Sequence, residues 1–170
     1  MPVKTGKGDT GYTDLLGGQR VRKDHPIVEL VGEIDELTAW IGIARSEIPD
    51  TALCETLGKI QNHLSTIMTA ISAWFQNPQN ISLEIDQNLQ CLEDWIAVFE
   101  KDIKFPQDFI QPGNSKIGAL FNVLRVVSRR VERKAVATFS IDDRQYHSLF
   151  GYLNRLSTFF YVLWMRVEKD

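Results

Sequence analysis

Apolar positions recur at helical spacing in five separate segments of this chain, with polar breaks between them. The first holds Ile27, Leu30, Val31, Ile34, Leu37, Ile41 and Ala44, and begins near Asp24 with Pro26 in its first turn. The second holds Leu53, Leu57, Ile60, Leu64, Ile67, Ile71 and Trp74. It stops at Asn77 and Pro78, because the residue before a proline is pushed out of helical geometry. A third carries Ile85, Leu89, Leu92, Ile96 and Phe99, and a fourth opens at Ser115 with Ile117, Leu120, Leu124, Val127, Val131 and Ala135. The last carries Tyr146, Leu149, Leu153, Leu156, Phe160, Leu163 and Val167. No stretch alternates convincingly with period two, so strands are not expected. Helices of about 20–25 residues with mostly short connections predict an all-α, up-and-down five-helix bundle with antiparallel neighbours.

Two stretches interrupt this pattern. Residues 5–18, "TGKGDTGYTDLLGG", contain five glycines and little apolar content. They match neither GxxxxGK[ST] nor a GxGxxG that follows a strand. Their composition fits a flexible tail, and it also fits an anion-binding arm. Glycines let backbone N–H groups converge, while Thr5, Lys7, Thr10 and Thr13 add donors and Asp9 can order the turn or reach a magnesium ion through water. Residues 104–114, "KFPQDFIQPGN", mix turn residues with Phe105, Phe109 and Ile110. Such a loop packs on something, either its own bundle or another body.

Composition narrows the classes. With 170 residues, 44% of them apolar and 24% charged, the chain reads as one globular domain, 1–170, with an arm over 1–23 and a bundle over 24–170. A net charge of −3 and a pI near 5.6 argue against nucleic acid as a partner. No apolar run approaches the ~20 residues of a membrane span. The first residues lack the apolar core of a signal peptide, so a cytoplasmic protein is expected. Cys54 and Cys91 have no CxxC or histidine neighbours and are expected as small core residues in a reducing compartment.

Candidate chemistry lies mainly on the fourth helix. Gly118, Asn122, Arg125, Arg129 and Glu132 recur at helical spacing beside the apolar stripe. That polar stripe fits a solvated face, and arginines one turn apart also fit a phosphate fork. "RRVERK" (129–134) resembles a nucleic-acid patch, against which the acidic balance weighs. Asp35 is expected to border the buried stripe of the first helix and to need a cation, for which Arg125 is the candidate. Asn154 sits at the edge of the last apolar face. His25, His63 and His147 form no metal-ligand or catalytic pattern.

Five stretches, in order, resemble the PduO-type ATP:cob(I)alamin adenosyltransferases: "TGKGDTGYTDLLGGQRVRKDHP", "VGEIDELTAWIGIA", "FIQPGNS", "RVVSRRVERKAV" and "YLNRLSTFFYVL". The resemblance covers nearly the whole chain. It implies a five-helix bundle assembled as a homotrimer with active sites between subunits. The implied reaction transfers the 5′-deoxyadenosyl group of ATP to reduced cobalamin and releases triphosphate. By the same resemblance, ATP is held by Thr5, Gly6, Lys7, Gly8, Asp9, Gly11, Thr13 and Lys23 of the arm, with Arg129, Glu132, Arg133 and Asn154 of the bundle. Mg²⁺ enters through the ATP phosphates. Asp35 and Arg125 match an intersubunit salt bridge beside the corrin, Asn122 lies on the same side, and Phe109 matches the aromatic that closes the lower corrin face. Lys7, Arg129 and Phe109 are the catalytic candidates. A flavoprotein reductase and a cobalamin-dependent enzyme are implied partners.

The chain also departs from that family's pattern. Gln111 and Asn114 stand where an apolar residue and a glycine are usual, and Asn122 where histidine is common. Thr158 and Met165 replace an aspartate and an arginine, a pair that would lie two turns apart on one helix face. These changes leave room for two further readings: a catalytically weak relative that binds ATP or cobalamin as carrier or sensor, and a purely structural bundle.

Overall fold

The computed structural model describes residues 6–75 and 82–168. A two-stranded antiparallel hairpin, β1 (Tyr12–Asp14) and β2 (Arg20–Arg22), precedes five helices. These are α1 (Pro26–Glu47), α2 (Thr51–Ser72), α3 (Ser82–Phe99), α4 (Lys116–Thr138) and α5 (His147–Glu168). A 3-10 turn, Arg144–Tyr146, leads into α5. The all-α bundle expected from the periodicity is present. The hairpin was not expected, because strands of three residues are too short for alternation to register.

Local chemistry sets the helix starts. The Nδ1 of His25 accepts from the Ile27 N–H at 3.2 Å, with Pro26 in the first turn of α1. Asp50 caps α2 through the Leu53 N–H at 3.1 Å, and Ser115 caps α4 through the Gly118 N–H at 3.0 Å. In the hairpin, Gly17 and Gly18 both adopt positive φ, 93° and 83°, which an L side chain resists. They turn the chain so that Leu15 N–H reaches the Gln19 carbonyl at 2.8 Å. The expected end of α2 at Asn77 and Pro78 lies outside the described residues.

The apolar stripes converge on one core, in which Leu30, Ile34, Leu37, Ile41, Leu57, Ile60, Leu64, Phe121, Tyr152 and Phe160 are fully buried. Around it α1 packs on α2 and α4, while α5 lies between α4 and α3. The alignment of α3 and α5 is parallel: Ser148 donates to Asp86, Arg155 pairs with Glu93, and Arg166 donates to the Phe99 carbonyl at 3.4 Å. α4 runs antiparallel to α5, with Glu132 beside Asn154 and Asn114 beside Glu168. The connection from α3 to α4 must therefore pass over the C-terminal end of α5. Two sequence expectations are corrected: Cys91 is exposed and Cys54 half-buried, since both lie beside the buried stripe and not within it.

A polar group is set into the junction of α2, α3 and α5. His63 stacks on Trp95 with centroids 5.6 Å apart, and its Nδ1 lies 3.3 Å from the hydroxyl of fully buried Tyr152. Burial pulls the His63 pKa below its ordinary 6.5 and pushes the Tyr152 phenol upward. The unfolded chain therefore binds a proton at His63 more readily than the folded one. The resulting stability is complete above pH ~6.5 and is lost as pH falls through the lower, folded value. Urea unfolding from pH 8 to pH 5 should show stability declining below pH ~6.5, with that part of the slope removed in His63→Gln.

Candidate functional site

The N-terminal arm folds into a small cradle of about 210 Å³ lined by Lys7, Gly8, Tyr12, Thr13, Asp14 and Arg20. Successive turns close it, with Asp9 N–H to the Gly6 carbonyl at 3.3 Å and Gly11 N–H to the Gly8 carbonyl at 3.2 Å. Arg20 locks the cradle from β2. Its Nη1 donates to Asp14 Oδ1 at 3.1 Å, its Nη2 donates to the Lys7 carbonyl at 3.0 Å, and its guanidinium lies 5.8 Å from the Tyr12 ring centre. The Lys23 ammonium hangs over Gly8 so closely that a Cβ there would stand 3.0 Å from Nζ. Lys7 and Lys23 thus place positive charge about a glycine-lined backbone, an arrangement suited to polyphosphate. Gly6, Asp9 and Gly11 shape the turns; Thr5 lies outside the described residues.

The basic residues of α4 divide into two sets. Arg130 pairs with Glu33 and Glu36, and Lys134 with Glu29, so these cations tie α4 to α1. Arg130 holds the Glu36 carboxyl below its usual range, chiefly through their hydrogen bond. Arg125, Arg129 and Arg133 occupy the adjoining face, and among the described residues none has a carboxylate within ion-pair distance. A residue step of one turns the helix by about 100°, enough to separate Arg129 from Arg130.

Half-buried Arg125 is the hinge between two depressions. It gives Nε and Nη2 to Asn122 Oδ1 at 3.0 and 2.9 Å, and its guanidinium lies 5.6 Å from the Trp164 ring centre. Desolvation, and then the charge of Arg129, depress its pKa, so the position is short of negative charge. On one side Arg125, Arg129, Ser157, Thr158 and Tyr161 line a cavity of about 190 Å³. On the other, the loop over 106–110 faces Arg125, Tyr161, Trp164 and Met165 across a cleft of about 350 Å³. Phe109 stands at the loop's apex with 89% of its surface exposed. A largely exposed aromatic beside an open, partly aromatic cleft can receive the face of a flat ligand.

Glu132 and Asn154, from two separate motifs, are joined by an Asn154 Nδ2 to Glu132 Oε1 hydrogen bond of 2.9 Å. Asp35 does not border the core in the single chain. It is exposed on α1, the neighbour of Ile34 on the outer side, and has no partner among the described residues. It is not brought to Arg125 within one chain. Among the described residues, no side chain of the arm's cradle is hydrogen-bonded or ion-paired to α4 or α5 either. Thr158 is exposed whereas Met165 is 3% exposed, so an arginine at 165 would stand in the wall of the Phe109 cleft.

Sequence reasoning missed Arg20, Tyr161 and Trp164. For the first, the sequence signal was a pair of opposite charges, Asp14 and Arg20, flanking Gly17 and Gly18; the hairpin register sets them face to face. Tyr161 and Trp164 lie beside the apolar stripe read for α5, and no charge or motif spacing set them apart; Tyr161 is half-buried and Trp164 buried.

Similarity to known proteins agrees with this geometry. The family described as cobalamin adenosyltransferase matches residues 3–167. The corrinoid adenosyltransferase of Bacillus subtilis (strain 168) is 32% identical over 166 residues, 95% of this chain and 84% of that protein. That of Mycobacterium tuberculosis (strain ATCC 25618 / H37Rv) is 33% identical, covering 95% of this chain and 86% of the relative. Corrinoid adenosyltransferase PduO of Citrobacter freundii is 31% identical over the full chain, which spans 51% of that protein. Among solved structures, a phenylalanine-to-histidine variant of the Lactobacillus reuteri PduO-type ATP:corrinoid adenosyltransferase, complexed with cobalamin and ATP, superposes with a TM-score of 0.87. It is 25% identical, with 99% of this chain and 91% of that chain covered. With a family match over nearly its whole length, relatives above 30% identity and a shared fold, the chain belongs to the cobalamin adenosyltransferase family.

Proposed function

We infer that this protein transfers the 5′-deoxyadenosyl group of ATP to cob(I)alamin, forming adenosylcobalamin and releasing triphosphate. The observation that carries the reading is that the Phe109 cleft and the Arg129 cavity share one wall, made by Arg125 and Tyr161. A corrin against Phe109 and a nucleotide along Arg129 would meet there, which is what direct transfer requires.

The reaction needs no protein nucleophile. Cobalt(I) supplies the electron pair that attacks C5′, the C5′–O5′ bond breaks, and triphosphate leaves with that bond's electrons. The protein aligns the two reactants and stabilises charge growing on the leaving group. Lys7, Lys23, Arg129 and Arg133 suit the second task. Glu132 and Asn154 offer a hydrogen-bonding edge to the nucleoside, and Phe109 covers one corrin face and excludes an axial ligand. Mg²⁺ would add charge neutralisation when bound with ATP. No group of three or more His, Cys, Asp or Glu side chains among the described residues is disposed to hold a metal. In this reading the ion would arrive with the ATP phosphates, and Asp9 of the arm would be the side chain to reach it through water.

In this reading residues 1–23 are a nucleotide-binding arm on a helical bundle, and the working unit is a homotrimer. Two features support assembly: the arm's cradle is not joined to the α4 arginines within one chain, and Arg125 is desolvated without an acidic partner. Asp35 of the partner subunit would supply that carboxylate. The protein would work in the cytoplasm, between a reductase such as a flavoprotein and a cobalamin-dependent enzyme. No helix among the described residues is long and apolar enough to cross a membrane.

The test is anaerobic mixing with chemically reduced cobalamin and ATP-Mg²⁺ while the corrin spectrum is followed. A light-sensitive adenosylcobalamin spectrum that depends on ATP is expected. Binding of cob(II)alamin without conversion would replace the transferase reading with a carrier or sensor. Arg129→Ala should lower turnover by about 10²–10³-fold with little change in melting temperature, as removal of a charge-stabilising donor does. Arg130→Ala should do the reverse: activity is retained, and stability falls by no more than about 1 kcal/mol because those ion pairs are partly exposed and screened. ATP-Mg²⁺ should also slow tryptic cleavage after Lys7; unchanged cutting at saturating nucleotide would count against the arm's role.

A further inference from the structure

The loop carrying Phe109 is fastened to α5 at both ends. At its start Phe105 stacks on Tyr161, with centroids 5.8 Å apart and planes 14° from parallel. At its far end the Asn114 Nδ2 donates to Glu168 Oε2 at 2.7 Å. Tyr161 and Glu168 lie seven residues apart, two turns along one face of α5, and Trp164 stands between them. Glu168 uses its other oxygen, Oε1, to accept the Trp164 indole N–H at 3.2 Å. Trp164 in turn lies edge-on to Tyr161 and under Arg125. One carboxylate therefore connects the end of the loop to the wall of the cleft.

The first turn of α4 is built around that carboxylate. A Cβ on Gly118 would collide with Glu168 Oε1 and stand 2.8 Å from the capping Ser115 oxygen. Glycine leaves the carboxylate its place, and a larger residue would make the Glu168 end shift. The N-terminal end of a helix, with its outward N–H groups, also favours a negative charge beside it. Asn114 is where the sequence shows a departure from its family's usual glycine, and a glycine could not make the bond to Glu168.

We propose that Glu168 is a positioning residue for the corrinoid, holding the Phe109 loop and the Trp164–Arg125 wall at a fixed separation through Asn114 and the indole N–H. This rests on the corrinoid reading of the cleft. Glu168 touches no reactant. Its effect passes through the loop and the Trp164 wall, both of which line the Phe109 cleft, so it bears on the corrinoid before ATP.

Four variants of the full chain test it: Glu168→Ala, Asn114→Gly, Asn114→Asp, and the double variant Asn114→Asp/Glu168→Gln. The third sets two carboxylates against each other. The double variant reverses the bond, because the glutamine donates to the aspartate and still accepts from Trp164. Loss of a hydrogen bond to a charged group should raise the cobalamin KM about tenfold in each of the first three, with the ATP KM within about twofold of the parent. The double variant should recover most of that loss. In the ligand-free protein, amide hydrogen exchange over residues 104–114 should quicken in Glu168→Ala and return in the double variant, while α1 and α2 stay unchanged. An active parent whose cobalamin KM is the same in all four variants, or a double variant no better than Asn114→Asp, overturns the proposal. A parent that neither binds nor converts cobalamin defeats the functional reading instead. Unaltered exchange over 104–114 in Glu168→Ala and Asn114→Gly then removes the strut as well.

Discussion

The buried stripe of α4, formed by Phe121, Leu124, Val127, Val131 and Ala135, sets the rotation of that helix about its own axis, and the ion pairs of Arg130 and Lys134 with Glu33, Glu36 and Glu29 lie on the flank it turns to α1. Individually each is partly exposed and contributes little to stability. They follow the angle that burial of the stripe fixes. With Arg130 and Lys134 turned to α1, and with Phe121, Leu124 and Val131 in the core, Arg125, Arg129 and Arg133 have one face left to occupy. A helix free to roll by a quarter turn would exchange the two arginine sets and leave the cavity at Thr158 and Tyr161 without its charge. Electrostatic preorganisation here is a property of helix packing before it is a property of any one residue.

The second constraint is topological. Because α3 and α5 run parallel with α5 between α3 and α4, the connection over 100–115 must cross the end of α5. A loop obliged to cross a helix end acquires anchors there, and the stack of Phe105 on Tyr161 is one. The apex between anchors is then displayed over a cleft it does not fill. Chemistry that needs alignment, and no proton transfer or covalent intermediate from the protein, suits such a frame. It asks for fixed walls and an open entrance, not for a tuned acid or base.

The helices were legible because each buries one stripe, and a period near 3.6 records that directly in Ile34, Leu37 and Ile41 or in Leu57, Ile60 and Leu64. The hairpin was not, since only Val21 of its six strand residues is buried and three residues show no alternation. Its turn was visible in Gly17 and Gly18 all the same. At the site, Lys7, Arg129, Glu132 and Asn154 could be singled out from motif resemblance. Their grouping could not, because Glu132 and Asn154 meet only through the antiparallel packing of α4 and α5. The division between Arg129 and Arg130 was likewise hidden: sequence shows adjacent arginines, and only α1's acidic face tells them apart. Asp35 exposes the same limit from the other side, since its position one residue from Ile34 suggested the border of the buried stripe and the fold leaves it exposed.

Phe109 is held 89% in water at the end of an anchored loop. Apolar surface kept exposed in the free protein carries ordered hydration that is released when the surface is covered, and the release has a thermal signature. Occupancy of the cleft would lower the heat capacity of the system. The enthalpy of association would then become steadily more favourable on warming while the entropic share declines. Affinity for the flat ligand would pass through a maximum with temperature instead of changing monotonically. A single ring kept out of the core would thus make covering of the cleft a calorimetric event as much as a geometric one.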